Sequence, residues 1–284
     1  MDTMMRFDND QLNEFLTKEE VKRRCPVAFI ESPTNPNLST KYVQANTETV
    51  IDDLEKLGWR PVEAKQKKTR AGSIYSFHMI AFQNPEVKVV KVNDDGTKEV
   101  DAYPRIILTN SHDGFNSFKF MMGVFRLVCS NGLVVCTDKM VDMSIRHINY
   151  TFEELRKVVS TSIQEIPNVV AQMNEMREVV LTDNEKKELA KEVIRIRKNI
   201  KEDAEFQVSD EDLKEVLEPI RKEDAGNDLW SVFNVCQEKM IKGGFLSTNK
   251  NNRKRKVRGI SSIVADMDYN KKLWLKASRY LVRS

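Results

Sequence analysis

The stretch from Val87 to Leu108 decides the fold. It reads "VKVVKV" (Val87–Val92), "NDDG" (Asn93–Gly96) and, after one threonine, "KEVDAYPRIIL" (Lys98–Leu108). The two flanking segments are enriched in β-branched and aromatic residues, and the Asp-Gly pair suits the positive φ angles of a tight turn. The stretch therefore predicts two antiparallel strands joined by a hairpin turn.

Further strands are predicted on either side of this hairpin. They lie in "SIYSFHMIAF" (Ser73–Phe82), "FKFMMGVFRLVC" (Phe118–Cys129), "GLVVC" (Gly132–Cys136) and "VDMSIRHI" (Val141–Ile148). Because short turns connect these segments, we expect a largely antiparallel sheet.

Helical periodicity appears before and after this block. A short helix is predicted in "TETVIDDLEKLGW", with Thr47 as its cap and Gly58 as its stop. From Thr151 onward apolar residues recur at helical spacing, and Pro167 is expected to kink or break the first of these helices.

Later helix boundaries are also readable. Thr182 with Glu185 forms a capping box, Ser209 opens another helix, and "DLWSVFNVCQEKM" (Asp228–Met240) forms a third that ends at Gly243. The order of elements predicts an α+β fold with a largely antiparallel sheet in the first half and a helical second half. We expect an irregular segment at 1–40, a strand-rich α+β core at 41–150, a helical region at 151–246, and a basic loop with a terminal helix at 247–284.

Composition excludes several classes of protein. The 284 residues are 40% apolar and 31% charged, which is typical of a globular protein. No run of eighteen apolar residues exists, so no membrane span is predicted. The first residues, "MDTMMRFDND", lack the features of a secretory signal, so we expect a cytoplasmic protein. The four cysteines form no C-x-x-C pair and are interpreted as small buried side chains.

Charge is distributed unevenly along the chain. Residues 247 to 284 contain eleven Lys or Arg and two Asp, which gives a net charge of +9. The whole chain carries +3, so residues 1 to 246 carry −6. A basic tail on a mildly acidic body indicates a polyanionic partner.

Several blocks together resemble a known family. They are "KYVQANTETVIDDLEKLGWRPV", "FHMIAF", "NSHDG", "FRLVCSNGLVV" and "NDLWSVFNVCQEKM", and they extend from about Lys41 to Tyr280. These blocks resemble the family called domain of unknown function 932, whose members are described as phage- or plasmid-like proteins. The resemblance implies a mobile-element or viral setting, with the host cell's cytoplasm as the location. It implies no reaction.

The histidines form the first candidate site. The chain has three, His78, His112 and His147, and all fall in the strand-rich block. If their strands pair, the imidazoles and Asp113 would converge at one edge of the sheet, where they could bind a metal or transfer protons. The same residues also suit ordinary turns and strand surfaces. Their spacing matches no known metalloenzyme motif such as H-E-x-x-H, and no metal or other cofactor is expected.

The basic segments form the second candidate site. "KNNRKRKVRG" (Lys250–Gly259) holds six cations in ten residues, and "KQKKTR" (Lys65–Arg70) lies in a predicted loop before a strand. Dense cations neutralise phosphates and make binding depend on salt. Trp59, Tyr75 and Phe77 are aromatic residues that could stack on bases. The same residues also allow another interpretation, in which Trp59 belongs to the core and both basic runs are solvated surface. The predicted phosphate contacts are Lys65, Lys67, Lys68, Arg70, Lys250, Arg253, Lys254, Arg255, Lys256 and Arg258.

These observations leave three functions open. The favoured hypothesis is a nucleic-acid-binding protein with DNA as its partner, acting in replication or recombination of a mobile element. One alternative is a metal-dependent or acid–base enzyme built on the histidines, although the absence of phosphate-binding and nucleophile motifs disfavours an enzyme. The other is an interaction protein that targets a host factor. A homo-oligomer is also compatible with the sequence, whereas a membrane partner is not expected.

Overall fold

The computed structural model describes residues 14–31, 46–67, 75–92, 95–112, 118–126, 132–134, 144–145, 151–248 and 253–281. The chain divides into two compact units. The described residues within Met1–Leu133 and Thr137–Ile166 form the first unit, and those within Val134–Cys136 and Pro167–Ser284 form the second.

A sheet of seven described strands contains the hairpin from which the fold was predicted. Its central order is β1-β2-β4-β5-β6, with β3 paired to β4 and β7 paired to β5, and every pair whose register is described is antiparallel. The strands are β1 (Arg60–Gln66), β2 (His78–Gln83), β3 (Val89–Val92), β4 (Lys98–Asn110), β5 (Phe118–Arg126), β6 (Gly132–Val134) and β7 (Ser144–Ile145).

Gly96 supports the turn between β3 and β4. Its φ of +80° lies in the left-handed region, which glycine adopts without a Cβ clash. The predicted hairpin is therefore confirmed, since β3 and β4 pair directly.

One face of the sheet packs on helices. Two of the helices that contribute to the first unit are α1 (Lys18–Arg24) and α2 (Thr47–Lys56), with a 3₁₀ helix (Pro26–Phe29) directly after α1. Ile80 and Leu108 are opposed in the register of β2 and β4, and both join Val50 and Leu54 of α2 in one buried cluster. Trp59, with no exposed surface, belongs to the same cluster. Burying these side chains is the main source of stability for this layer.

The second half of the chain is mostly helical. The remaining elements are α3 (Phe152–Glu178), α4 (Asp183–Arg197), α5 (Asp210–Leu217), a 3₁₀ helix (Lys222–Asp224), α6 (Leu229–Lys242), β8 (Leu246–Thr248), β9 (Lys254–Lys256) and α7 (Ile263–Ser278). Strands lie mostly in the first half and helices mostly in the second, so the predicted α+β class is confirmed. No described helix combines the length and apolar character that crossing a bilayer requires.

Helix caps follow the sequence closely. Thr182 and Glu185 form the predicted capping box, and the Ser209 side chain accepts from the backbone N–H of Asp212. Helix α6 ends at Gly243, whose φ is +66°. At α2 the cap is one residue earlier than predicted, because the Asn46 side chain accepts from the backbone N–H of Glu48.

Local predictions are wrong, wholly or in part, at three places. Residues 1 to 40 were expected to be irregular, but Thr17 and Glu20 form a capping box that begins helix α1. Pro167 was expected to kink or break a helix; the break is wrong, since α3 continues through it from Phe152 to Glu178, while a kink stays a prediction. The segment around Lys254 was expected to be a loop, but Lys254–Lys256 forms a strand that pairs with Leu246–Thr248.

Candidate functional site: a buried polar network and two basic surfaces

Three polar side chains form a row across one end of the sheet. The register pairs Gln66 of β1 with His78 of β2, and His78 with Asn110 of β4. Directly opposed residues in an antiparallel sheet project to the same face. His78 and Asn110 have no exposed surface, so two of the three polar side chains lie in the interior of the first unit.

His78 is held by two hydrogen bonds that define its tautomer. Its Nδ1 lies 3.1 Å from the carbonyl oxygen of Ser76, and its Nε2 lies 3.1 Å from the hydroxyl of Thr47. A carbonyl oxygen only accepts, so Nδ1 carries the proton. In the neutral ring Nε2 then accepts from the Thr47 hydroxyl, while Asn110 Nδ2 donates to Thr47 Oγ1 at 3.0 Å. The helix α2 residue Thr47 therefore joins β2 to β4.

His112 extends the same network to the segment after α1. Its Nε2 donates to the carbonyl oxygen of Val27 at 2.8 Å, and the Val27 backbone N–H donates to Gln66 Oε1 at 3.3 Å. The His112 ring centroid lies 5.1 Å from that of His78. We call Thr47, Gln66, His78, Asn110 and His112 the buried polar network, since each links two elements of the first unit.

The network answers part of the histidine hypothesis. His78 and His112 come together as predicted, whereas Asp113 and His147 lie outside the described residues. Within the described ranges there is no group of three or more His, Cys, Asp or Glu side chains that could hold a metal ion. The enzyme hypothesis therefore stays a prediction, and the observed role of the two imidazoles is to connect strands, helix α2 and the 3₁₀ helix.

Thiols in the described regions are not activated. Burial raises the pKa of Cys25 to about 12, although a backbone hydrogen bond from Ala28 opposes the shift. Burial also raises the pKa of Cys236 to about 12. Both side chains are free and buried, as the sequence predicted for cysteines. The other two cysteines lie outside the described residues.

The basic hairpin is the first exposed candidate surface. We use this name for β8, β9 and the residues up to Arg258. Its cations are all exposed in the described segment: Arg253, Lys254, Arg255, Lys256 and Arg258. The predicted contact Lys250 lies outside the described residues. Arg197 of α4 donates to the carbonyl oxygen of Arg258 at 2.8 Å, and the Val257 N–H donates to the Phe245 carbonyl at 2.8 Å. These bonds fix the end of the hairpin.

An acidic helix lies against the basic hairpin. Ser247 Oγ donates to Asp212 Oδ2 of α5 at 3.1 Å, and Lys254 forms an ion pair with Glu211. The hydrogen bond with Glu211 raises the pKa of the Lys254 ammonium. A depression of about 360 Å³ lies between helix α5 and the basic hairpin. Its lining residues are Glu211, Asp212, Lys214, Glu215, Glu218, Leu246 and Lys254. Lys254 of the hairpin is therefore already ion-paired with a carboxylate of the same unit.

The second basic segment begins in a strand. Lys65 lies in β1 and was predicted to lie in a loop, while Lys67 follows the strand directly. Both side chains are exposed, and Lys65 forms an ion pair with Glu63. The Lys67 backbone N–H donates to the Phe77 carbonyl at 2.8 Å. Lys68 and Arg70 lie outside the described residues.

The aromatic stacking prediction is only partly compatible with this geometry. Trp59 is fully buried in the core, so base stacking by Trp59 is wrong and its alternative interpretation as a core residue is confirmed. Tyr75 and Phe77 are half-buried. Stacking on Tyr75 or Phe77 stays a prediction.

Sequence reasoning missed most of the network and one group of cations. Thr47 was noted only as a helix cap and Val27 was not noted, because their partners lie 63 and 85 residues away along the chain. The run "KRR" (Lys22–Arg24) is visible in the sequence, but it stood in a segment expected to be irregular. Lys22, Arg23 and Arg24 are exposed in the last turn of α1.

Comparison with known proteins gives two kinds of match. Residues 37–264 match the family model described as Domain of unknown function (DUF932). Two relatives from Escherichia coli (strain K12), UPF0380 protein YafZ and UPF0380 protein YfjQ, are each 28% identical to this chain over 270 residues. The alignments cover 94% of this chain and 92% of each relative. No solved structure matches the chain.

Proposed function

The chain belongs to the family described as Domain of unknown function (DUF932), and from this premise we propose that it binds nucleic acid electrostatically. The proposed partner is DNA, contacted through phosphates by the exposed basic segments. The resemblance to phage- and plasmid-like proteins suggests a mobile-element setting, in which the protein would act during replication or recombination.

The observation that carries this proposal is the basic hairpin. Five cations stand within the six residues from Arg253 to Arg258, and all five are exposed. Cations of this density attract a polyanion and release its condensed counterions, which makes the affinity fall steeply as salt rises. Arginine adds directional recognition, because its guanidinium donates to two phosphate oxygens at once.

The strand conformation of β9 helps to present these cations. Successive side chains of a strand point to opposite faces and advance by about 3.3 Å per residue. Lys254 and Lys256 therefore share one face, and Arg255 projects from the other. Lys254 is paired with Glu211, which leaves Arg255 and Lys256 as the central phosphate contacts of the strand.

The charge balance of the whole chain supports a localised surface. Residues 247 to 284 carry +9, while the remainder carries −6. A generally basic protein would attract a polyanion over its entire surface, whereas this distribution concentrates the attraction on the tail. The proposal therefore requires that substitutions in the hairpin matter more than equal changes of charge elsewhere.

The test is equilibrium binding to labelled single- and double-stranded DNA at two salt concentrations, followed by fluorescence anisotropy. In the 284-residue chain, Lys254→Ala/Arg255→Ala/Lys256→Ala should weaken binding by roughly 100-fold at low salt. It should also reduce the slope of log K against log salt by about 1.8 for duplex DNA, since Arg255 and Lys256 each contribute about 0.9 while Lys254 is paired with Glu211.

A second triple variant controls for net charge. Lys187→Ala/Lys201→Ala/Lys222→Ala removes three exposed cations of the same unit and should change the affinity less than about threefold. Absence of DNA binding by the wild-type protein at low salt would refute the proposed function. Equal losses in the two triple variants would refute the assignment to the hairpin.

A further inference from the structure

The end of helix α1 and the end of strand β1 lie side by side in the first unit. Cys25 Sγ donates to the Lys65 carbonyl oxygen at 3.8 Å, and the Val27 N–H donates to Gln66 Oε1 at 3.3 Å. At the other end of α1, the Leu16 N–H donates to the Pro61 carbonyl at 2.8 Å. Helix α1 is therefore attached along β1 at both of its ends.

This attachment places two separate groups of cations on adjoining segments of the backbone. Lys22, Arg23 and Arg24 are exposed in the last turn of α1, immediately before Cys25. Lys65 and Lys67 are exposed at the end of β1, and the Lys65 carbonyl is the group that Cys25 contacts. We call these five residues the α1–β1 basic surface.

The nearby acidic groups that are described leave this surface positive. Glu63 forms an ion pair with Lys65 and so offsets one of the five charges. Glu20 forms the capping box with Thr17, and its carboxylate also offsets part of the charge of Arg24 and Arg23: its pKa is lowered first by the hydrogen bonds with Thr17 and further by these two guanidiniums. Cations in the last turn of a helix also interact favourably with its dipole. That effect accounts for the placement of cations on α1 but not for their position beside Lys65 and Lys67.

The buried polar network fixes the geometry of this surface from inside. His112 donates to the Val27 carbonyl oxygen, and Gln66 accepts from the Val27 N–H. Both backbone polar groups of Val27 are therefore hydrogen-bonded to side chains of the network. The Val27 segment follows Arg24 by only three residues. Preorganised cations bind at a smaller entropic cost than cations on a free loop.

From this arrangement we infer that the α1–β1 basic surface is a second phosphate-binding surface, in which Arg23 and Arg24 act with Lys65 and Lys67. The inference rests on the proposed function, and it assigns a contact role to residues of the first unit outside the predicted set. The guanidiniums of Arg23 and Arg24 would donate to phosphate oxygens, and the two lysines would add point charges along the same backbone.

The test uses charge-matched variants of the full chain and the same labelled DNA. Arg23→Gln/Arg24→Gln should weaken binding by about tenfold at low salt and lower the salt slope by about 1.8 for duplex DNA. The control Lys88→Gln/Lys98→Gln removes the same charge from exposed positions of the same unit, with Lys98 at the opposite end of β4 from Asn110. It should change the affinity less than twofold.

Two further measurements separate contact from folding. Arg23→Lys/Arg24→Lys keeps the charge and should recover most of the affinity, and a thermal unfolding curve of each variant should match that of the wild type. An Arg23→Gln/Arg24→Gln loss no larger than that of the control would overturn the inference. Displacement of DNA by polyglutamate as readily as by unlabelled DNA would also overturn it, in favour of an acidic protein partner.

The outcomes distinguish the inference from the proposed function. If the wild-type protein binds no DNA, the proposed function fails and the inference fails with it. If the hairpin triple variant loses affinity while Arg23→Gln/Arg24→Gln retains it, the proposed function survives and only the second surface is rejected.

Discussion

The buried polar network and the basic hairpin are both polar, but the protein places them in opposite environments. His78, Asn110 and His112 have no exposed surface, and described groups of the same unit satisfy most of their hydrogen bonds. The cations from Arg253 to Arg258 are all exposed. The contrast teaches that a polar cluster in a sequence does not by itself mark an accessible site, because burial decides which groups can meet a partner.

The two regions should also differ in what their side chains contribute to stability. A buried donor or acceptor that loses its partner costs about 1 to 3 kcal/mol, because it was removed from water to form the bond. An exposed charge can return to water, so its removal changes stability little. Substitutions in the network should therefore destabilise the protein, whereas substitutions in the hairpin should alter binding.

The largest expected effect is on Thr47. Thr47→Val keeps the shape of the side chain but removes the hydroxyl that bonds His78 Nε2 and accepts from Asn110 Nδ2. Two buried polar atoms lose a partner, so the free energy of unfolding should fall by about 2 to 4 kcal/mol. Chemical denaturation monitored by circular dichroism measures this change.

Thr49→Val is the matched control for that prediction. Thr49 lies on the same helix α2 and is exposed, so the same substitution should change the free energy of unfolding by less than about 0.5 kcal/mol. Equal destabilisation by the two variants would mean that the Thr47 hydroxyl contributes nothing specific and that the contrast between the two regions is false.

Local signals in the sequence predicted much of this fold. Asp-Gly before β4, the Thr182–Glu185 box and the glycine after α6 each act over a few residues, and all three appear where expected. The same kind of signal was present in Thr17 and Glu20 but was overlooked among polar residues. Pro167 shows that a local signal can also mislead. Proline is disfavoured inside a helix, yet helix α3 continues through this residue.

The candidate sites were less predictable because they depend on contacts between distant residues. The sequence suggested that histidines meet, and His78 does lie beside His112. It could not show that Thr47 and Val27 are their partners, since pairing of β2 with β4 and packing of α2 bring them together. For the same reason the contact between the Cys25 thiol and the Lys65 carbonyl oxygen could not be predicted from the sequence pattern.

An intermediate effect is expected at Cys25, whose thiol touches the β1 backbone near the network. Burial raises its pKa to about 12, from an ordinary value of 9.0. Above pH 9 the unfolded state releases the thiol proton and the folded state keeps it, so stability is complete below pH 9 and falls as pH rises toward 12. At pH 10 this single thiol should lower the free energy of unfolding by about 1.4 kcal/mol.

Comparing wild type with Cys25→Ala at pH 8 and pH 10 isolates the contribution of this thiol. The alanine variant should lose about 1.4 kcal/mol less than the wild type between the two pH values, whatever its stability at pH 8. Identical losses would show that Cys25 is accessible to solvent. Mass spectrometry after alkylation of the native protein at pH 8 gives an independent check, since Cys25 and Cys236 should remain unmodified.

The smallest expected effect is at the contact between the hairpin and helix α5. Glu211→Gln removes the ion pair with Lys254 on an exposed surface, so the unfolding midpoint should not change measurably. DNA affinity should rise about twofold at low salt, because the Lys254 ammonium becomes available to a phosphate. Glu188→Gln, an equal change of charge at an exposed position of α4, should leave the affinity unchanged. Equal gains in affinity in both variants would mean that the change of net charge causes the gain, and not the loss of the Glu211–Lys254 ion pair. A gain confined to Glu211→Gln would mean that α5 competes with nucleic acid for the hairpin. The exposed basic hairpin would then resemble the buried polar network in one respect, since one of its side chains is already paired within the protein.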